Sequence, residues 1–353
     1  MPEKMLAAMK TEPAPGCEIC EIDIPTPIDN EVLIKVKRAS VCGTDRHIYF
    51  WDEWSANRIK PPMIFGHEGC GEIVAKGANV RSMKVGDFVS AETHIPCGFC
   101  YQCRTGSQHL CQNLVILGVD TNGMFAQYCK FPETVCWKNP PDLNPDVASI
   151  LEPFGNAVYT VMESNVSAKE ILITGDGPIA AFAAGIAKAV GATQIFVTGL
   201  VEPLLDIVKK IGADHIINLT KIADPAAYIL DRTRGEGVDV VLEMSGAQPA
   251  IDLGFEVVKR CGTFTMFGIS ARNRIELPMN EGVIFKGLKI IGINGRKMFE
   301  TWYQGRNLIT SGLVDPSPVI THTMPLRDLS KACEMINEVQ NRVASKITID
   351  PWA

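Results

Sequence analysis

Hydrophobic positions along the chain fall into two textures that change near Pro153. Before it, from Glu31 to Gly86, short β-rich runs such as Val32-Leu33-Ile34-Lys35-Val36 and Glu72-Ile73-Val74 are punctuated by Gly and Pro, with few helical periods. That pattern predicts a β-barrel-like domain. After it come six apolar strand candidates, at 171–174, 195–198, 215–217, 238–242, 264–267 and 289–292, mostly separated by helical stretches that include an apolar helix at 181–190. Alternation of this kind predicts a doubly wound parallel sheet, so the chain reads as α/β. A helix-like stretch at 329–340 leads to a last strand at 346–349, which is expected to return to the first domain. The expected division is 1–155, 156–296 and a returning segment 297–353.

The length of 353 residues supports two domains, because single cores tend to split beyond about 250–300 residues. A net charge of -6 argues against nucleic acid as the main partner. The first ten residues carry no apolar run of signal-peptide length, and the most apolar stretch, 179–190, is interrupted by Lys188 and falls short of the roughly 20 residues that span a bilayer. A cytoplasmic protein without a membrane segment is expected. In that setting the 12 cysteines point to metal binding rather than disulfides.

Two constellations carry that expectation. Cys97, Cys100, Cys103 and Cys111 form C-x2-C-x2-C-x7-C, in which four thiolates wrap one tetrahedral zinc without help from a distant residue. The fourth spacing, and Gln112 after it, differ from the ferredoxin pattern that ends in x3-C-P. This lobe, about 96–112, is expected to be structural. The second constellation is sparse: Cys42 in Cys42-Gly43-Thr44-Asp45, the pair His67-Glu68, and Glu152 further on. Mixed sulfur, nitrogen and oxygen ligands drawn from separated segments suit a catalytic zinc, which keeps a position for substrate. Affinity order alone leaves another divalent ion open. Glu68 and Glu152 compete for the carboxylate position. Thr44 and His47 follow Cys42 at two and five residues, a hydroxyl and an imidazole suited to pass a proton to solvent.

The remaining cysteines read as packing. Cys17 and Cys20 are formally C-x-x-C, but residues i and i+3 of a strand point to opposite faces. Cys70, Cys129, Cys136, Cys261 and Cys333 are isolated and expected to be buried small hydrophobes.

Gly175-Asp176-Gly177-Pro178-Ile179-Ala180 links a strand candidate to the apolar helix, the context in which G-x-G-x-x-A lets a pyrophosphate approach a helix N-terminus. Such a site uses an acid near the end of the second strand, roughly 20 residues on, to read the ribose of NAD. Gly199 stands there instead, Glu202 follows three residues later, and no Arg or Lys in 199–205 offers a clamp for a 2'-phosphate. Asp176 places a carboxylate where phosphates are expected to pass.

An open metal site, a four-cysteine lobe and a nucleotide turn, in this order, resemble the zinc-dependent medium-chain alcohol dehydrogenases over essentially the whole chain. The resemblance is strongest to the branch that acts on L-threonine, in Cys42-Gly-Thr-Asp-Arg-His-Ile-Tyr-Phe-Trp-Asp-Glu-Trp54, Glu92-Thr-His-Ile-Pro-Cys97, Glu152-Pro-Phe-Gly-Asn-Ala157 and Gly295-Arg-Lys-Met-Phe-Glu-Thr-Trp-Tyr303. It implies a GroES-like β-barrel catalytic domain joined to a Rossmann sheet. It further implies two zinc ions per subunit, the catalytic one at Cys42, His67 and Glu68 with Glu152 near, a relay through Thr44 and His47, and a homotetramer. The implied nucleotide is NAD, held around Gly175, Gly177, Pro178, Ile179, Gly199 and Glu202, and the implied reaction takes L-threonine to 2-amino-3-ketobutyrate. The acids of 51–54, with His94 or Arg296, are the candidates to face the charged groups of that substrate. Gly199, Asp176 and Ala180 depart from the family pattern and leave NAD and NADP both open. Three other readings stand beside this one: a sister enzyme for polyols or diols, a zinc-free reductase of the same fold, and a zinc- and nucleotide-binding protein without catalysis.

Overall fold

The structure, a computed structural model, describes residues 3–270, 274–338 and 342–353. Its contacts divide the chain into one unit of Met1–Glu152 with Ile320–Ala353 and another of Pro153–Val319.

The first unit is built on antiparallel strands. Lys4–Lys10 is flanked by Glu18–Asp23 and Met63–Ile64 in one sheet. The larger sheet runs in the order Cys136–Lys138, Phe88–Ala91, Glu68–Lys76, Glu31–Val41, Lys346–Asp350 and Ile320–Pro325, with Tyr128–Pro132 also pairing with Glu31–Val41. The long central strand Glu31–Val41 buries Val32, Ile34 and Val36 on one face and exposes Lys35 on the other, while Leu33 and the end of the strand, Ala39, Ser40 and Val41, are buried on both faces. The terminal strand joins this sheet, where Ile347 lies opposite Val41 and Ile349 opposite Ala39.

Glycines fix the turn before Glu68–Lys76. Gly66 has φ +93°, a left-handed conformation that a side chain resists, and its carbonyl accepts the N–H of Met124 at 2.8 Å. A Cβ on Gly118 would stand 2.2 Å from that carbonyl oxygen and a Cβ on Gly123 2.1 Å from it. Backbone thus meets backbone directly beneath His67.

The second unit is a six-stranded parallel sheet in the order His215–Asn218, Gln194–Gly199, Glu170–Thr174, Val238–Glu243, Val258–Met266 and Lys289–Gly292. Its strands read as nearly continuous apolar runs because helices cover parallel sheets. Ile171, Leu172, Ile173, Val240, Val241 and Leu242 are all fully buried. Strand order reverses between Glu170–Thr174 and Val238–Glu243, the switch point at which such sheets bind ligands beyond their carboxyl ends. Glu243 ties the loop there, accepting from Thr174 Oγ1, the N–H groups of Ser245 and Gly246, and Ser245 Oγ.

Several expectations are adjusted. The apolar helix spans Pro178–Ala189, starting three residues earlier than read, since Pro178 fits the first helical position after Gly177. The last helix is Leu329–Asn337, and the remainder of the expected stretch falls partly on 339–340, outside the described residues. The helix Glu300–Thr310 belongs by contact to the second unit rather than to the returning segment: Gly305 lies against Phe154, and Val314 beyond it lies against Gly185. Cys261 is exposed, contrary to expectation, because it occupies a positive-φ turn (φ 61°) inside Val258–Met266, where the register with Val238–Glu243 slips.

Gly123→Ala is expected to destabilise the protein by about 1–3 kcal/mol through overpacking against the Gly66 carbonyl. Urea unfolding reads this directly, and an unchanged midpoint would show that the turn yields without cost.

Candidate metal and nucleotide sites

Cys42 follows the strand Glu31–Val41 and caps the helix Gly43–Phe50. Its sulfur accepts the Thr44 N–H at 3.3 Å while its own N–H donates to Asp45 Oδ2 at 2.9 Å. This reciprocal cap, with cysteine in the place usually held by serine or aspartate, aims the sulfur along the helix start. His67 Nε2 lies 3.2 Å from Cys42 Sγ. With Zn–S about 2.3 Å and Zn–N about 2.0 Å, a tetrahedral ion separates such atoms by about 3.5 Å, so the pair fits a shared ion. Ligating atoms of Cys42, Asp45 and His67 lie within 4.8 Å of one another, as do those of His67, Glu68 and Glu152.

Charge makes the same demand. Burial alone would push the His67 imidazole toward its neutral form, but Cys42, Asp45 and Glu152 outweigh it and raise its pKa well above the ordinary value. Lys346, also buried, is held cationic against its own desolvation chiefly by Glu68 and Cys42. A pocket that draws protons so strongly around an imidazole is suited to a divalent cation.

The two carboxylates are held differently. Glu68 Oε2 accepts from Lys346 Nζ and from Ser40 Oγ, and Lys346 Nζ also donates to the Val41 carbonyl at 3.2 Å. Glu152, 7% exposed, opens the helix Leu151–Glu163. Behind the imidazole, Asp45 Oδ1 faces His67 Nδ1 at 3.8 Å, and neither atom has a hydrogen-bond partner among the described residues. A carboxylate on the far nitrogen of a metal-binding histidine orients the ring and favours the Nδ1–H tautomer.

His47 shares the helix Gly43–Phe50 with Thr44, and at a spacing of three the two side chains lie on one helical face. His47 Nδ1 bonds Asp52 Oδ2, and Asp52 Oδ1 accepts the N–H of Ser55 at 3.1 Å as the cap of Glu53–Arg58. Those backbone and imidazole partners hold the Asp52 carboxyl below its usual range despite its partial desolvation. Asp52 is therefore committed to His47 and to its helix. His94, 9% exposed, sits with Nδ1 3.6 Å from Glu92 Oε1. Arg296, in the second unit, is fully buried, its stem against Gly155 and its guanidinium donating to Asn156 Oδ1 at 3.3 Å.

In the cysteine lobe the four sulfurs lie within 4.8 Å of one another, Cys100 to Cys103 at 3.4 Å and Cys100 to Cys111 at 3.8 Å. Four sulfurs about 2.3 Å from one ion stand about 3.8 Å apart. No disulfide occupies them. Backbone N–H groups of Phe99 and Cys100 pull the Cys97 thiol down to about 6, and those of Cys103 and Gln112 lower Cys100, while burial pushes the Cys103 thiol up to about 12.

In the second unit Gly175 has φ +103°, and its N–H donates to the Thr198 carbonyl at 2.9 Å. Gly177 caps the helix Pro178–Ala189 without a side-chain bond, and a Cβ on it would meet nothing within 4 Å. The start of that helix is thus open to a phosphate, with Pro178 and Ile179 in its first turn. Asp176 does not lie across it. Its Oδ2 turns to the next loop, accepting the N–H groups of Leu200 at 2.7 Å and Val201 at 2.8 Å. Glu202, in the first turn of Glu202–Ile211, is held by Asn218 and, at 2.9 Å, by Lys221, which depress its pKa.

Asp45, Asp52 and Lys346 were not singled out for these roles from sequence. The signals were faint: an Asp three residues after a helix-capping Cys, an Asp before a short helix, and one Lys at the head of an apolar terminal strand.

Residues 28–141 match the family model for the alcohol dehydrogenase GroES-like domain, and residues 178–311 that for zinc-binding dehydrogenases. The chain is similar to an L-threonine 3-dehydrogenase of Pyrococcus abyssi, 47% identical over 91% of this chain and 92% of the relative. It is also similar to an L-threonine 3-dehydrogenase of Bacillus subtilis, 46% identical over 96% of each chain. Among solved structures, a 2R,3R-butanediol dehydrogenase of Bacillus subtilis superimposes with a TM-score of 0.87 at 27% identity, covering 98% of this chain and 99% of the other.

Asp45→Asn is expected to weaken zinc at the Cys42–His67 site about 10–100-fold in competition with a chelator, leaving the lobe unaffected. Equal affinity would remove Asp45 from the support of His67. Full chelation is expected to open the lobe to protease at 96–112. Unchanged resistance there would reject a structural role for its metal.

Proposed function

This chain belongs to the zinc-dependent alcohol dehydrogenases, and from that premise we propose that it oxidises the secondary alcohol of L-threonine to 2-amino-3-ketobutyrate, passing a hydride to NAD+. The observation that carries the substrate is the near-full-length similarity to relatives bearing that activity in their names. The fit of the Cys42–His67 pair to a shared ion supports the chemistry.

In this reading Cys42, His67 and a carboxylate hold the catalytic zinc. We assign that carboxylate to Glu152, because Glu68 is held by Lys346 and Ser40. Bound zinc supplies Lewis acidity that makes a substrate hydroxyl far easier to deprotonate. The rest is the work of the chain. Thr44 accepts the hydroxyl proton and hands its own to His47. Asp52 on Nδ1 keeps Nε2 of His47 as the accepting nitrogen, and the half-exposed ring releases the proton to water. As the proton leaves, the carbinol hydrogen departs with its electron pair to the nicotinamide. Gly175, Gly177 and the start of Pro178–Ala189 cradle the pyrophosphate. The lobe of Cys97, Cys100, Cys103 and Cys111 holds the structural zinc.

The homotetramer and the cytoplasmic location that go with the family complete the proposal. In support of assembly, Lys289–Gly292 is a sheet edge with Ile290 38% exposed, next to exposed Ile284 and Phe285. No helix among the described residues is long and apolar enough to cross a membrane.

Purified zinc-loaded protein is expected to reduce NAD+ in the presence of L-threonine. Inactivity with both NAD+ and NADP+ would reject threonine and direct the search to diols and polyols. His47→Ala is expected to lower turnover about 10²-fold at neutral pH and to recover as pH rises, since bulk base replaces the relay. A pH profile parallel to the parent's would dismiss the relay.

A further inference from the structure

We propose that Asp176, inside the phosphate turn, is the acid that binds the adenosine ribose of NAD, supplying from the first strand's loop the carboxylate that Gly199 lacks. The proposal rests on the nucleotide-dependent reading above and adds to it the residue that chooses the nucleotide.

Three observations carry it. The first is place. Asp176 Oδ2 accepts the N–H groups of Leu200 and Val201, the two residues that follow the strand Gln194–Gly199. Its carboxylate therefore sits at the end of the second strand, where a ribose-reading acid is required.

The second is exclusion. A Cβ built on Gly199 would stand 2.6 Å from Asp176 Cβ, 2.7 Å from Asp176 Oδ2 and 2.8 Å from Leu205 Cδ2. Gly199 does not adopt a left-handed conformation, so what it serves is space rather than backbone freedom. The strand end has room for one acidic side chain, and Asp176 fills it. Its presence in the turn and the glycine at 199 are two halves of one arrangement.

The third is capacity. Oδ2 takes both backbone donors, and among the described residues Oδ1 receives no hydrogen bond, which leaves it as acceptor for the ribose hydroxyls. Glu202 is held by Asn218 and Lys221 and does not compete. No Arg or Lys lies in 199–205 to meet a 2'-phosphate, which a carboxylate in this position would repel. The arrangement selects NAD over NADP.

The test is direct titration of zinc-loaded full-length protein with NADH and with NADPH, read by nicotinamide fluorescence, which requires no turnover. Asp176→Asn keeps the shape and an oxygen for the loop N–H groups but removes the charge. It is expected to weaken NADH by about tenfold or more, with NADPH unchanged or tightened. Because the crowding at 199 reaches the Cβ of residue 176, the acid is returned to the strand by Asp176→Gly combined with Gly199→Asp. That pair is expected to restore most of the NADH preference. Melting temperatures confirm that each variant is folded. Parent protein that binds NADH, with Asp176→Asn unchanged or losing NADH and NADPH in parallel, would overturn the ribose assignment and leave the dehydrogenase reading intact. Parent protein that binds neither nucleotide would overturn both.

Discussion

Uncompensated negative charge gathered around one buried imidazole is the constraint on which the first unit depends. Cys42, Asp45, Glu68 and Glu152 converge on His67, and Lys346 is the cation that the chain itself contributes. Isolated charges of this kind are costly to bury, so the cluster persists only where geometry lets them offset one another and a metal offset the rest. Two of these acids have a partner from the chain, Asp45 the back of the imidazole and Glu68 the lysine and a serine, while outside the cluster Asp52 holds the neighbouring His47.

The sheet provides that convergence. Ser40 lies directly opposite Glu68 and Val41 opposite Ile347, so three adjacent strands deliver serine, glutamate and lysine to one spot without any loop having to reach. Backbone contact between Gly66, Gly118 and Gly123 sets the height of the histidine above them. In the second unit a comparable economy of space governs the end of Gln194–Gly199, where a single volume is contested by two positions in the sequence.

What could be read from the sequence was whatever is local or periodic. The cysteine lobe was legible because its four ligands lie within fifteen residues at spacings that suit one ion. The parallel sheet was legible because buried strands are written as apolar runs bounded by glycine. Supports that act across the chain were hidden. Lys346 is 278 residues from Glu68, and nothing near either predicts their meeting. Asp52 reads as a substrate contact in the sequence because its pairing with His47 depends on a left-handed Trp51 that folds the chain back. Asp176 looked misplaced beside a phosphate because its direction is decided by amides 24 and 25 residues away. Cys261 reads as a core residue in the sequence because a turn within a strand leaves no mark on hydrophobicity.

The place of Lys346 also sets an order of events in synthesis. The second unit is one uninterrupted segment, 153–319, and contains every strand of its own sheet, so it can close while the chain is still growing. The first unit begins earlier but lacks the strand Lys346–Asp350, and with it the lysine that pairs with Glu68, until those residues have left the ribosome. The half of the protein that is translated first is therefore completed last, when Lys346 reaches Glu68 and the strand Lys346–Asp350 closes beside Glu31–Val41.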